Sequence, residues 1–332
     1  MSKVNRRDFG RTGLAALAGM AAARRGSAQP ADSRAYRYVH LDVFTDRRMQ
    51  GNQLLVFVQP AGLDTDAMQA LTRESNYSEC TFVFPPEQAG TDHRVRIFTR
   101  TAETPFAGHP TLGTAFALAY TGVLKPSMAH TSFGLGVGPT SIDLEWKDGR
   151  LAFAWMTQLK PVFGQTIADA AGLAAAIGLD AADIDRRVPA QEVNCGSNFM
   201  IVPLASRKAV DAATLDRAKV DAVFAAAGIQ RRGLYVFSTE HGEADVTPYS
   251  RLLGTGGIED PATGSAAGPA GCFVAKYGFV PADKAGAIVF LQGVKVGRPS
   301  RLHVKVALAA GEVTSVKVGG AAAIVGEGTM AL

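Results

Sequence analysis

Glu103-Thr104-Pro105-Phe106-Ala107-Gly108 and Glu259-Asp260-Pro261-Ala262-Thr263-Gly264 read alike, E-x-P-x-x-G, at two places in one chain. Each runs on through small and apolar residues to a second glycine at the same spacing, Gly122 and Gly278. Proline and glycine force a turn, and Thr114 to Tyr120 has the composition of a buried helix, so each copy predicts a tight turn at a helix N-terminus. A turn-plus-helix unit that recurs in this way argues for a duplicated domain. Gly51 to Val58 and Gly196 to Val202, each a glycine leading into an apolar strand, repeat the theme.

Strand and helix interleave outward from these copies. Tyr36 to Phe44 alternates as a half-buried strand, Leu54 to Val58 is a short apolar run, and Asp64 to Glu74 predicts a helix capped at Asp64. Ile142, Leu144 and Trp146 lead into Asp148-Gly149 and out through Leu151, Phe153 and Trp155, the pattern of a hairpin with a two-residue turn that ends the first half. The second half is expected to carry helices over Ile167 to Ile177 and Asp211 to Ala227, and a strand from Leu234 to Ser238. The 332 residues are 47% hydrophobic and 19% charged, enough for two sizeable cores.

The first 28 residues follow the order of an export signal. Asn5-Arg6-Arg7-Asp8-Phe9 supplies a twin arginine, Gly13 to Ala23 a short apolar run, and Gly26-Ser27-Ala28 a small-residue cleavage site, although Gly10 replaces the apolar residue expected after Phe9. The run is too short to span a bilayer, so the expectation is a periplasmic or secreted protein with no stable membrane insertion once the signal is removed. Removal takes away six cations and one anion, which lowers the formal charge from +4 to −1. The basic balance therefore belongs to the signal, and no basic stripe interleaved with aromatics remains to serve a nucleic acid. Cys80, Cys195 and Cys272 are odd in number and lack metal-ligand spacing, as expected for small buried hydrophobes rather than a disulfide framework or a metal site.

Glycine lets backbone N–H groups approach a ligand, and free N–H groups with the positive end of a helix dipole attract anions. Two such turns related by a pseudo-two-fold axis would place two helix N-termini face to face, a geometry suited to a carboxylate. Two ordinary helix starts would produce the same letters. Glu79 follows Ser78 and precedes the apolar Thr81-Phe82-Val83-Phe84, at the edge of a desolvated pocket or on a solvated surface. Asp260 and Ser265 can each be a helix N-cap or a substrate partner, and His109 can be a helix-start residue bonded to backbone or a donor beside the anion site.

Five stretches in order resemble the phenazine-biosynthesis PhzF-like isomerase family over nearly the whole mature chain. They are Gly51-Asn52, Asn76-Tyr77-Ser78-Glu79-Cys80-Thr81-Phe82-Val83, Phe106-Ala107-Gly108-His109-Pro110-Thr111-Leu112-Gly113-Thr114-Ala115, Glu259-Asp260-Pro261-Ala262-Thr263-Gly264-Ser265-Ala266, and Gln292-Gly293 with Gly297-Arg298-Pro299-Ser300. The resemblance implies an α+β fold like that of diaminopimelate epimerase, with pseudo-symmetric half-domains at 36–156 and 157–332, each a curved sheet around a central helix, and a C-terminal strand that can return to the first. It implies Glu79 as the acid/base carboxylate, His109 and Asp260 as its catalytic companions, and Gly108, Gly264 and Ser265 as substrate-binding positions. No metal and no organic cofactor is implied, the partner is a small anionic metabolite, and the assembly is a homodimer. Ala107 and Pro261 stand where the epimerase carries its two facing cysteines, which excludes a two-thiol racemase. The expected activity is a proton shift on a carboxylate-bearing metabolite; the alternatives are an exported carboxylate-binding protein without turnover and a one-base amino or hydroxy acid epimerase.

Overall fold

Residues 34–230, 232–243, 247–254 and 259–332 are described by a computed structural model. The expected export segment 1–28 lies outside the described residues. Tyr36–Met330 form the compact unit that carries the fold and the site.

The first half runs β1 (Ala35–Val43), β2 (Asn52–Phe57), α1 (Thr65–Ser75), β3 (Glu79–Phe84), β4 (His93–Thr99), β5 (Glu103–Thr104), α2 (Gly108–Tyr120), β6 (His130–Leu135), β7 (Gly138–Lys147) and β8 (Arg150–Thr157). The second runs β9 (Val162–Ile167), α3 (Ala170–Ala176), β10 (Ala190–Asn194), β11 (Asn198–Pro203), α4 (Arg207–Ala212), α5 (Arg217–Ala226), β12 (Gly233–Ser238), β13 (Tyr249–Leu253), α6 (Gly264–Lys276), β14 (Ile288–Gln292), β15 (Ser300–Ala309), β16 (Glu312–Gly320) and β17 (Ala322–Ala331).

The duplication is written in the ladders. Along β1, β2, β3, β4, β6, β7 and β8 the pairings are antiparallel, parallel, antiparallel, parallel, antiparallel and antiparallel. Along β10 to β16 the same sequence of pairings recurs. The halves join where β8 pairs with β16, with Trp155 opposite Gly319, and β17 returns to pair with β1.

Each half wraps its sheet around one helix. In α2 the residues Gly108 to Leu118 are buried, and in α6 all from Gly264 to Ala275 except Ser265, so both helices are apolar all round, as a helix enclosed on every side must be. Leu112, Phe116, Ala270 and Phe273 share one continuous core with residues of both sheets. Gly122 and Gly278, the paired glycines of the repeat, lie just past the two helix ends with φ of 75° and 67°, the left-handed conformation that stops a helix. The opposite sheet faces are covered by α1 against Leu55, Cys80, Phe82 and Phe98, and by α3, α4 and α5 against Met200, Val202 and Val236. All three cysteines are buried.

Asp64 caps α1 as expected, its carboxylate accepting from Ala67 N, and Asp148 and Gly149 both have positive φ in the β7–β8 hairpin. Two boundaries differ from the sequence reading. The helix expected from Ile167 starts only at Ala170, because Ile167 pairs with Ala190 as the last residue of β9 and Asp169 takes the cap. The helix expected over Asp211 to Ala227 is two helices, since Asp216 accepts from Ala218 N and Lys219 N and so starts α5 afresh.

Candidate active site

The two E-x-P-x-x-G turns meet. A Cβ added at Gly108 would lie 2.5 Å from Gly264 Cα and from Ser265 N, and one added at Gly264 would lie 2.7 Å from Phe44 Cζ and 3.1 Å from Gly108 Cα. The helix N-termini are thus in backbone contact, closer than the facing arrangement expected from the repeat. Their caps, Ala107 and Thr263, give no side-chain hydrogen bond, and Ala266 N turns back to the Thr263 carbonyl at 3.0 Å, which leaves the Gly108 and Gly264 N–H groups uncapped.

Around this contact the structure gathers residues from both halves. Asn52, the first residue of β2, is buried, and its Nδ2 lies 2.5 Å from Asp260 Oδ1, 2.9 Å from the Ala262 carbonyl and 3.1 Å from His109 Nδ1. Its Oδ1 accepts from Ser78 Oγ at 3.3 Å. An Asn amide has two donor hydrogens. Asp260 and Ala262 are acceptors only and draw these hydrogens, and His109 Nδ1 lies alongside them. It also lies 3.4 Å from Glu79 Oε2. His109 Nε2 is buried with no hydrogen-bond partner among the described residues.

Asp260 does not cap α6, as one sequence reading allowed; the cap position belongs to Thr263, and so Ser265 is not the cap either. The Asp260 carboxylate accepts from Asn52 and, at 2.7 Å, from Thr263 Oγ1. Buried Gln292 ties this turn down, donating to the Asp260 carbonyl at 2.9 Å and accepting from Thr263 N and Tyr235 OH. The left-handed turn before Asn52 is held from the other half. Arg298 donates to the Gly51 carbonyl at 2.7 Å and the Gln50 carbonyl at 2.8 Å, and pairs with buried Asp42 at 2.5 Å.

Glu79 begins β3, opposite Leu54 on β2 and Thr99 on β4, with a side chain 19% exposed to a cleft of about 400 Å³. Asn52, Tyr77, Ser78, Arg100 and Asp260 also line that cleft. Burial and then the charge of Asp260 push the Glu79 carboxyl up to about 8. Burial likewise raises Asp260, to about 6, against the pull of the Thr263 and Asn52 hydrogen bonds. Of the two, Asp260 keeps the charge, because two side-chain donors, Asn52 and Thr263, hold it against one, Ser78, at Glu79. Burial pushes the His109 imidazole down to about 3, so it stays neutral near neutral pH. Cys80, next to Glu79, points to the opposite sheet face, where its thiol lies 3.2 Å from Ser75 Oγ and burial raises it to about 11. It takes no part in the cleft.

Residues 41–328 match the family model for PhzC-PhzF, phenazine biosynthesis-like protein. The chain belongs to this family. It is 36% identical over 300 residues to a trans-2,3-dihydro-3-hydroxyanthranilate isomerase from Pseudomonas aeruginosa, across 88% of this chain and 98% of that relative. Among solved structures, a PhzF-family phenazine biosynthesis protein of Bacillus anthracis superposes with a TM-score of 0.79 at 25% identity, covering 90% of this chain and all of that one. A hydroxyproline epimerase of Agrobacterium vitis, 11% identical, shares the fold with a TM-score of 0.60 over 90% of this chain and 93% of its own. The epimerase-like α+β architecture that the resemblance implied is therefore the observed one, and this PhzF-family chain is an isomerase.

Structure brings Glu79, His109, Asp260, Gly108 and Gly264 into one place. Ser265 is half-buried in the first turn of α6 beside Gly108. Asn52, Gln292 and Arg298 stand in the family-like stretches of the sequence, which by itself gives them no role. Their signal was a polar residue directly after or before a glycine at a strand end, Gly51-Asn52 and Gln292-Gly293, where the backbone turns and a polar side chain can be held inward.

Proposed function

We propose that this PhzF-family isomerase moves a proton between two carbons of a small carboxylate-bearing metabolite, with Glu79 as the single acid/base. The observation that carries this reading is a carboxyl on the cleft wall whose pKa is raised toward neutrality by burial and by Asp260, with His109 Nδ1 3.4 Å from it. Such a group is populated in both protonation states near neutral pH, which one carboxylate needs in order to abstract a proton and give it back.

The ionised Glu79 takes the proton from a carbon next to an unsaturated or carboxylate-bearing carbon. The C–H electron pair spreads into the adjoining π system, a new double bond forms, and protonated Glu79 returns its proton to the far end of that system. Atoms and charge balance without a further reactant. The negative charge that develops is met by the backbone N–H groups at Gly108 and Gly264 and their helix N-termini, preorganised and uncapped. Asp260, ionised and held by Asn52 and Thr263, orients an ammonium or hydroxyl group of the substrate. Ser265 would add a hydroxyl contact.

The decisive experiment places the purified protein in D₂O with trans-2,3-dihydro-3-hydroxyanthranilate, the compound named for the Pseudomonas aeruginosa relative, and with other small cyclic and linear carboxylates, and follows them by NMR. Deuterium at a new carbon with double-bond migration, lost in Glu79→Gln, supports the reading. Deuterium at a stereocentre with the double bonds in place would make the protein a one-base epimerase, and binding without exchange would make it a carboxylate-binding protein. The proposal extends to an exported homodimer: cell fractionation with Arg6→Lys/Arg7→Lys as control, and sedimentation of the mature chain, test those two parts.

A further inference from the structure

Arg100 is the one cationic side chain among the described residues that line the Glu79 cleft. It directly follows Thr99, the residue opposite Glu79 in the β3–β4 ladder. Directly paired residues of neighbouring strands lie about 5 Å apart at Cα, so Arg100 stands at the rim immediately beside the acid/base carboxylate.

The turn that presents it is built to hold still. Thr99 N donates to the Ala102 carbonyl at 2.8 Å, Thr99 Oγ1 accepts from Thr101 N and Ala102 N, and Gln69 Nε2 donates to the Thr99 carbonyl at 2.8 Å. The guanidinium itself is uncommitted. Its one hydrogen bond is a long one, 3.4 Å from Nη1 to Asn76 Oδ1, and no carboxylate pairs with it among the described residues. Glu259 at the same rim is already taken by Arg251, at 2.9 and 2.7 Å. The cleft therefore has an acidic floor at Asp260 and a free planar cation at its rim, and a guanidinium fork matches a carboxylate bidentately.

We propose that Arg100 is a specificity residue that receives a second carboxylate of the substrate, remote from the reacting carbon, so that the substrate is a dicarboxylate. This rests on the reading of the cleft as the substrate site. One carboxylate lies at the paired helix N-termini and the other on Arg100, which sets the reacting carbon between them against Glu79 and repels a molecule that would turn its anionic end toward Asp260.

The test is a calorimetric titration of the wild-type protein, Arg100→Ala and Arg100→Lys with succinate, glutarate and adipate, each beside its monoamide. The diacid and its monoamide have the same size and differ in one charge. For the chain length that fits, the wild type is expected to bind the diacid about tenfold tighter than the monoamide, as a charged hydrogen-bonded group warrants. Arg100→Ala should bring that ratio to about one, and Arg100→Lys should retain part of it. A ratio near one in the wild type, a ratio that survives Arg100→Ala, or no binding of any diacid overturns the proposal. Proton exchange abolished by Glu79→Gln alongside an unchanged diacid ratio in Arg100→Ala would sink this inference and leave the isomerase reading standing; the converse pair of results would do the opposite.

Discussion

Asn52 Nδ2 lies 2.5 Å from Asp260 Oδ1, although 208 residues separate them in the chain. This bond fixes the charge beside Glu79, and it joins the second strand of one half to the helix-start turn of the other.

Asp260→Asn removes the anion that helps raise Glu79. The Glu79 pKa should fall from about 8 but stay above the ordinary carboxylate value, since burial is the larger cause. The limb of the rate–pH profile that reports ionisation of Glu79 should therefore move to lower pH. An unmoved limb, measured by solvent exchange across pH 5 to 10, would separate Asp260 from the electrostatics of the site.

Stability should carry the same signature. A folded-state pKa raised from 4.5 to about 8 means that the native protein binds the Glu79 proton more tightly than the unfolded chain does. That contribution is complete below the unfolded pKa and is lost as pH rises through 8. The Tm of the wild type should drop relative to Glu79→Gln between pH 5 and 9, by a few degrees for each ~1 kcal/mol involved. Parallel Tm curves for the two proteins would count against a raised Glu79.

His109 works in the other direction. Its pKa of about 3 against 6.5 means that the unfolded chain binds the proton more readily, so this contribution is present above the unfolded value and is lost as pH falls from about 6.5 through 3. His109→Asn can keep a donor toward Glu79 and should flatten the acid limb of stability while lowering turnover less than His109→Leu, for which a loss of roughly 10²-fold is expected. Equal turnover in the two variants would remove the donor role.

Gly108→Ala places a methyl group 2.5 Å from the Gly264 backbone, where no side chain can rotate aside. The helix N-termini must separate, at a cost of about 1–3 kcal/mol, and exchange activity should collapse with them. Wild-type melting and activity would show that the contact is dispensable.

Arg298→Ala strands Asp42, which is 1% exposed, without its partner. Loss of about 3–5 kcal/mol is expected, with a large part recovered in the Asp42→Asn/Arg298→Ala double variant, because an unpaired buried charge rather than a missing contact is the main penalty. Chemical denaturation of the three proteins reads this directly. Failure of the double variant to recover would assign the cost to the lost Gly51 and Gln50 bonds instead.

The amino-acid sequence determined the duplicated architecture, the two helix starts and the hairpin, because these depend on local causes: glycine and proline at spaced positions, alternation along strands, and a capping Asp64. It also singled out Glu79 as the expected acid/base, since Glu79 stands in a stretch that resembles the family's residue by residue. Where a competing local signal was weak, as at Ile167 and before Asp216, strand pairing or a second cap overrode it. Only the tertiary structure decided the site as a working unit. Asn52 and Asp260 are 208 residues apart and Arg298 and Asp42 are 256 apart, and their hydrogen bonds exist because β8 pairs with β16 and the two central helices meet at Gly108 and Gly264. Burial, which shifts the carboxyls and the imidazole and decides which of them carries a proton, is a property of that assembled interior, and no stretch of chain contains it alone.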